Sequence, residues 1–212
     1  MSPPNPGSAP RAFESGGDST SAKAALRASV LAARAVDQRR AEADAARLPA
    51  LRDVSAGHAV VACYASVAPE PDTWALIEAL ASEGVRVLLP VLSGRRTPGW
   101  GWYAGAEALV PGWRGILQPG EDLGPDAVAS ASLIWVSALL VTPRGVRLGT
   151  GGGWYDRALV RRRPDAVVAT LVGDAEVVDA LPEDAWDVPV DVVVTPGGVL
   201  RTGAEQAGRP PR

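Results

Sequence analysis

The chain is poor in the side chains that form covalent nucleophiles and metal clusters. Its 212 residues include one cysteine, one histidine and one lysine. The single cysteine, Cys63, excludes an internal disulfide and agrees with a reducing compartment. The single histidine, His58, stands just before the strand-like segment that holds Cys63. A Cys/His metal cluster is therefore excluded, and a Cys–His catalytic pair is not expected.

Long apolar runs, excess positive charge and a leader pattern are also missing. The longest apolar run, near 133–141, is too short to cross a bilayer. The first 20 residues show no basic region followed by an apolar one, so they do not form a secretory signal. A net charge of −3 offers no basic face for nucleic acid. We expect a cytoplasmic monomer with no membrane or nucleic-acid partner.

Lysine is almost replaced by arginine. Of the 21 basic residues, all except Lys23 are arginine. A lysine kept in such a chain is a candidate for a position that needs a compact ammonium rather than a planar guanidinium. Chance retention on a solvated helix face is the alternative interpretation.

Composition divides the chain into one domain with two tails. Residues 1–20 and 201–212 are rich in proline, glycine, serine or other polar residues, which predicts flexible tails around a single domain at 21–200. Alanine and arginine dominate 21–52, which predicts one or two helices with Thr20 or Ser21 as the N-cap.

Strand-like and helical segments alternate through the rest of the domain. The segments predicted as strands are 59–67, 85–92, 132–141, 166–172 and 190–195, with a possible edge strand at 100–103. A helix is predicted at 73–82, with Asp72 able to cap it. This alternation predicts a three-layer α/β domain with a mostly parallel sheet flanked by helices. Ligands on such sheets bind beyond the carboxyl ends of the strands.

The most informative segment is the glycine-rich run between Arg147 and Arg157. Four of the five residues 149–153 are glycine, so a ligand can approach the backbone and successive N–H groups can converge on an anion. A strand-like segment precedes the run, and a helix-permissive one follows it. The spacing matches neither common nucleotide-binding glycine motif. A tight strand-to-helix turn without a ligand is the competing interpretation.

Four motifs in order carry a family resemblance. They are Lys23-Ala24-Ala25-Leu26-Arg27, the segment from Tyr64 through Glu70 to Asp72-Thr73, the run from Gly145 to Asp156, and Asp187-Val188-Pro189-Val190-Asp191. From about Lys23 to Thr195 the chain resembles the 5-formyltetrahydrofolate cyclo-ligase family, also called methenyltetrahydrofolate synthetase. That family's usual pattern has tyrosine where Trp154 stands, glutamate at Gln118, proline at Ser137 and aspartate at Thr142.

The resemblance implies a reaction and a fold. The reaction is the ATP- and Mg²⁺-dependent cyclisation of 5-formyltetrahydrofolate to 5,10-methenyltetrahydrofolate, with ADP and phosphate released. The fold is the three-layer class that also includes sugar-phosphate isomerases and CoA transferases. Loss of the carboxylate at Gln118 is expected to affect a contact near the pterin or the substrate preference.

The resemblance also implies roles for individual residues. Lys23 and Arg147 are the expected catalytic residues, and Asp156 and Asp191 are the expected Mg²⁺ ligands. Folate is expected to contact Arg27, Glu70, Trp154 and Tyr155. ATP is expected to contact Lys23, Ala24, Ala25, Leu26, Arg27, Arg147, Leu148, Gly149, Thr150, Gly151, Gly152, Gly153, Trp154 and Tyr155.

Structural roles compete with several of these assignments. Asp191 is equally well placed in the sequence to cap a strand entry, Glu70 to serve as a turn carboxylate, and Trp154 and Tyr155 to join the core. Two other functions compete with the enzyme: a nucleotide- or phosphate-binding module without catalysis, and a different enzyme on the same fold. The sequence retains Lys23, Arg147 and Asp156, whose replacement would favour a binding module. It also has the Lys23/Arg27 pair, which the other enzymes do not need, so the cyclo-ligase is favoured.

Overall fold

The computed structural model describes residues 16–92, 97–184 and 186–203. Its helices are α1 (Gly16–Val36), α2 (Arg40–Ser55), α3 (Trp74–Ser82) and α4 (Trp154–Leu159). Its strands are β1 (Val60–Cys63), β2 (Arg86–Val91), β3 (Gly99–Trp102), β4 (Leu109–Pro111), β5 (Leu117–Pro119), β6 (Leu133–Val136), β7 (Leu140–Val141), β8 (Arg147–Leu148), β9 (Val167–Leu171), β10 (Val192–Thr195) and β11 (Gly198–Arg201). Among these described residues, no helix combines the length and apolarity needed to cross a membrane.

Seven strands form one sheet in the order β11-β10-β9-β6-β1-β2-β3. The five inner strands run parallel, and the edge strands β3 and β11 are antiparallel to their neighbours. Every residue of β6 is buried, as expected for a parallel strand that is covered on both faces. The predicted three-layer, mostly parallel α/β fold is confirmed.

The two faces of the sheet are covered by different helices. Successive residues of a strand point to opposite faces. On one face, Trp135 packs with Leu51 of α2 and Ile77 of α3. On the other face, Ile134 packs with Leu159 of α4. Asp72 caps α3 as predicted, because its carboxylate accepts the N–H groups of the first turn.

The surroundings of the single cysteine and the single histidine indicate structural roles. Cys63 is fully buried in β1, and this burial raises the pKa of its thiol well above the ordinary value. The His58 Nδ1 atom lies 2.8 Å from Ser132 Oγ, and burial lowers the pKa of the imidazole. Because a high thiol pKa removes the reactive thiolate, Cys63 is unsuited to nucleophilic catalysis.

Regular structure extends past both predicted domain boundaries. Helix α1 begins at Gly16, so the predicted N-caps Thr20 and Ser21 lie inside it. Several neighbouring Ser, Thr and Asp residues compete as caps, which is why the sequence does not fix the start. At the other end, Arg201 belongs to β11 and Thr202 is buried. The remainder of the two predicted tails, 1–15 and 204–212, lies outside the described residues.

The predicted strand at 132–141 is also wrong in one respect, since it is two strands. After β6 ends at Val136, the chain leaves the large sheet, and β7 pairs antiparallel with β8. Apolar composition does not reveal the break, because both strands are buried. This small hairpin carries the glycine run back to the region just beyond β6.

Candidate active site

The glycine run forms an open loop between β8 and α4. Gly151 and Gly153 have φ values of 101° and 60°, which side-chain-bearing residues rarely adopt. A Cβ at Gly151 would stand 3.3 Å from the Arg27 guanidinium carbon. Glycine is therefore required at Gly151 by its backbone angle and by the approach of a cation.

Helix α1 brings two cations to this region. Arg27 Nε donates to the carbonyl oxygen of Gly149 at 2.9 Å. One turn earlier, Lys23 Nζ donates to Asp184 Oδ2 at 2.7 Å and to Asp187 Oδ2 at 3.3 Å. Burial lowers the pKa of Lys23, but these hydrogen bonds outweigh it and leave the pKa above its ordinary value. Lys23 is consequently a charged ammonium at neutral pH.

The residues between these two cations have other environments. Ala24 and Ala25 are exposed, and Leu26 is half-buried. Further along α1, Arg34 donates through Nε to Glu176 Oε1 at 2.7 Å and through a terminal nitrogen to the Ala138 carbonyl oxygen at 2.9 Å. Arg34 thus fastens α1 across the segments that follow β6 and β9.

Arg147 and Asp156 form a partly buried ion pair at the two ends of the loop. A terminal nitrogen of Arg147 lies 2.5 Å from Asp156 Oδ1, and the two side chains are 5% and 23% exposed. Arg147 also donates to the carbonyl oxygen of Val188. The N–H of Val188 in turn donates to Asp156 Oδ1 at 3.3 Å. Through these bonds, the segment that contains Val188 holds both ends of the loop in place.

Asp191 is the second carboxylate that the sequence assigns to Mg²⁺. Its Oδ2 accepts the N–H of Val168 at 2.8 Å, where β9 and β10 begin. Asp187 stands next to Val188 and hence close to Asp156. Sequence reasoning passed over Asp187, although it is the first aspartate of the Asp187–Asp191 motif. No group of three or more potential metal-binding side chains occurs within the described ranges.

Glu70 lies in a second group of residues. Its Oε2 accepts the N–H of Val67 at 2.9 Å. Burial raises the pKa of Glu70 above its usual value, although the Arg34 charge opposes that rise. The Glu70 charge in turn raises the pKa values of Tyr64 and Tyr155, after burial as the main cause. Glu70 therefore lies within electrostatic reach of Tyr155 at the start of α4.

A cleft of about 410 Å³ opens beside Glu70. Its walls are Asp37, Gln38, Arg40, Ala41, Asp44, Ser66, Ala68, Glu70, Asp72 and Trp74. Asp72 caps α3, and Asp44 accepts the N–H of Asp72 and an Arg47 guanidinium nitrogen. Glu70 and Asp37 each accept one backbone N–H, so these two carboxylates of the cleft are less committed to holding the fold than Asp44 and Asp72.

A surface hairpin places a second aromatic ring beside the glycine loop. The ring centres of Trp113 and Trp154 are 6.2 Å apart, with 37° between their planes. The Arg114 guanidinium stacks 4.3 Å from the Trp113 ring centre. Gln118 on β5 accepts the N–H of Leu92 at 2.8 Å, which joins the hairpin to the end of β2. The position that departs from the family pattern therefore has a local structural role.

Fold and site together define a three-layer α/β protein with a cation-lined glycine loop beyond the carboxyl end of β6. The model of the 5-formyltetrahydrofolate cyclo-ligase family matches residues 19–196. The chain belongs to this family, and it is an enzyme of the cyclo-ligase class.

Relatives and solved structures agree with that assignment. A 5-formyltetrahydrofolate cyclo-ligase of Mycolicibacterium smegmatis is 37% identical over 142 residues, which cover 64% of this chain and 73% of that protein. The Escherichia coli K12 cyclo-ligase is 34% identical over 144 residues, covering 66% and 79%. The NMR structure of Aquifex aeolicus 5,10-methenyltetrahydrofolate synthetase matches with a TM-score of 0.72 and 27% identity, covering 90% and 96%. A Mycoplasma pneumoniae synthetase shares the fold with a TM-score of 0.66, 18% identity and coverage of 82% and 98%.

Proposed function

We propose that this enzyme converts 5-formyltetrahydrofolate to 5,10-methenyltetrahydrofolate and uses ATP as its co-substrate. The observation that supports ATP most strongly is the meeting of Lys23, Arg27 and Arg147 around an open glycine loop. The names of the relatives supply the folate substrate and product. We also propose a monomer as the active unit.

ATP solves the central chemical problem of this cyclisation. The formyl oxygen is a poor leaving group until it is phosphorylated. In the proposed first step, the bond from the γ-phosphorus to the bridging oxygen breaks, ADP leaves, and the formyl oxygen gains the phosphoryl group. N10 then attacks the formyl carbon and loses its proton, while the carbon–oxygen bond breaks and phosphate leaves. Catalysis of such a transfer is mainly positioning and charge stabilisation.

The glycine loop and its cations fit that task. We propose that the backbone N–H groups of 149–153 contact the phosphates, with Arg147 neutralising charge that develops during transfer. Lys23 and Arg27 would approach from α1 on the other side. Leu148 is buried, so its contribution would come through its backbone. The protein supplies no covalent nucleophile in this scheme, in agreement with the buried Cys63.

Carboxylates suited to Mg²⁺ stand behind the loop. Mg²⁺ in phosphoryl-transfer sites is commonly held by one or two carboxylates together with phosphate oxygens. Asp156 fits this role, and Asp187 fits it better than the expected Asp191, because Val188 connects Asp187 to Asp156. Asp191 is instead bound to the backbone of Val168. When bound, Mg²⁺ would offset the negative charge of the phosphates.

The cleft beside Glu70 suits the pterin end of the folate. Its volume of about 410 Å³ falls within the range of small-molecule sites. A pterin presents several N–H donors along one edge, and Glu70 offers a carboxylate acceptor with raised proton affinity. Trp154 and Trp113 would provide ring faces for the benzoyl group. Tyr155 lies between Glu70 and the loop, so it would connect the two ligands.

An absorbance assay tests the proposal directly. The purified enzyme is mixed with 5-formyltetrahydrofolate and Mg²⁺, with and without ATP, and methenyltetrahydrofolate formation is followed. We expect product only with ATP, at one ADP per product. Product without ATP would contradict the phosphorylation step. Nucleotide binding without product under any of these conditions would favour a binding module.

A further inference from the structure

A short turn between Asp184 and Asp187 holds the chain's only lysine. The N–H of Asp184 donates to Asp187 Oδ2 at 2.9 Å, and the N–H of Asp187 donates to the Asp184 carbonyl oxygen at 3.0 Å. These two bonds bring both carboxylates to the same side of the turn. Lys23 donates to each of them from a position 161 and 164 residues earlier in the chain.

The two carboxylates do not hold Lys23 equally. The bond to Asp184 is 2.7 Å long, and the bond to Asp187 is 3.3 Å long. Short charge-assisted bonds are the stronger ones. Asp187 Oδ2 also accepts the N–H of Asp184, so its oxygen is shared between two donors. Asp184 is therefore the main anchor of the Lys23 ammonium.

The ammonium has one donor to spare. A lysine ammonium carries three N–H donors, and Asp184 and Asp187 accept two of them. The Lys23 side chain is only 10% exposed, so its orientation is restricted. Such an arrangement presents the third donor in one direction.

Charge alone does not favour an aspartate here. A carboxylate beside a phosphate-binding loop repels phosphate, so Asp184 weakens anion binding through its charge. Asp184 can nevertheless assist the reaction if it orients the Lys23 ammonium. We infer that Asp184 is a positioning residue that directs the third N–H of Lys23 at the transferred phosphoryl group. This inference rests on the proposed function, because it takes phosphoryl transfer as the reaction.

Kinetics separate orientation from charge. In the Asp184→Asn variant the turn's backbone bonds can remain, but the anionic anchor is lost. We expect kcat to fall by at least about tenfold, since small misplacements of catalytic groups are costly. The KM for ATP is expected to stay level or fall, because one repulsive charge is gone. Asp184→Glu is expected to recover part of kcat. The control is Glu183→Gln, an adjacent exposed residue with the same change of charge.

A second readout does not depend on activity. Since Lys23 is the only lysine, labelling with [¹⁵N]lysine gives a single side-chain ammonium signal. We expect a slowly exchanging signal in the wild type and in Glu183→Gln, and fast exchange in Asp184→Asn. If Asp184→Asn does not fold, Asp184→Ser is measured in the same way.

The outcomes are distinct. Loss of both kcat and the protected ammonium signal in Asp184→Asn supports the inference. A wild-type kcat, or a lower kcat with an unchanged Lys23 signal, overturns it. If the wild type forms no methenyltetrahydrofolate, the proposed function fails. The ammonium signal then reports separately whether Asp184 anchors Lys23.

Discussion

The glycine loop and the Glu70 cleft lie at the same end of the sheet, but their charged groups differ. The loop carries cations, whereas the cleft offers a carboxylate. Around the loop, two of the cations are already paired with carboxylates: Arg147 with Asp156, and Lys23 with Asp184 and Asp187. In the cleft, Glu70 has the N–H of Val67 as its hydrogen-bond partner, and burial raises the pKa of its carboxyl.

Under the proposed function, this difference explains how one site could accept two unlike ligands. A polyanion such as a triphosphate requires cations that stay in place before it binds, and neighbouring carboxylates provide that order. A flat ring with N–H donors requires a carboxylate acceptor that is not already neutralised by a paired cation. Substitutions on the two sides should consequently separate nucleotide from folate effects.

The largest effect is expected for Asp156→Asn. This change leaves the Arg147 guanidinium, which is 5% exposed, without its anionic partner. We expect activity to fall at least about a hundredfold, because Arg147 loses its orientation. Breaking a fully buried ion pair costs roughly 3–5 kcal/mol, and the 23% exposure of Asp156 lowers our expectation to about 2 kcal/mol. Turnover and urea unfolding measure the two effects.

The matched control for this variant is Asp126→Asn. Asp126 pairs with Arg161 on the surface, with side chains 79% and 44% exposed. Exposed pairs contribute little to stability, so neither turnover nor the unfolding midpoint is expected to change. An equal loss of stability in both variants would show that the position of Asp156 beside the loop is not special.

The next effect is expected for Glu70→Gln. The amide keeps an oxygen for the N–H of Val67 but loses the charge that would meet the pterin N–H groups. Losing a charged hydrogen bond of this kind costs about 1.5–3 kcal/mol, which corresponds to roughly a tenfold to hundredfold rise in the KM for formyltetrahydrofolate. The KM for ATP should not change. A rise in both constants would mean that the two regions do not act separately.

A smaller effect is expected for Trp113→Ala. Under the proposed function, the Trp113 ring stacks on the folate benzoyl group, and such an aromatic pair contributes about 0.5–1.5 kcal/mol beyond burial. Its loss should therefore raise the KM for folate about threefold to tenfold. Leu117→Ala is the control, since Leu117 lies on the same hairpin and is similarly exposed. Equal effects of the two substitutions would indicate that the hairpin matters only through its fold.

The smallest effect concerns pH and stability. Burial raises the pKa of Glu70 in the folded protein. The folded state therefore binds the Glu70 proton more tightly than the unfolded state does. The stability contributed by this protonated carboxyl is complete below the ordinary pKa of 4.5 and is lost as pH rises through the folded pKa. Relative to wild type, Glu70→Gln should have a Tm that increases over that interval. Parallel Tm curves for the two proteins would refute the raised pKa.

The glycine loop and the main strands could be predicted because their signals are local. A run of glycines marks close approach of the backbone, and unbroken apolar segments mark buried parallel strands. The pairing of Lys23 with Asp184 has no local signal in the sequence, because 161 residues separate the two. The sequence motif also does not say which of Asp187 and Asp191 faces the loop. That choice depends on where the chain enters β10.

Helix α1 has a consequence for how the enzyme is made. The partners of Lys23, Arg27 and Arg34 lie 104 to 164 residues further along the chain. On a ribosome, α1 therefore emerges long before Glu176 and the Asp184–Asp187 turn are synthesised. A nascent chain that stops before Glu176 carries two cations, Lys23 and Arg34, whose carboxylate partners do not yet exist. The proposed site is therefore complete only after the Asp184–Asp187 turn has been translated.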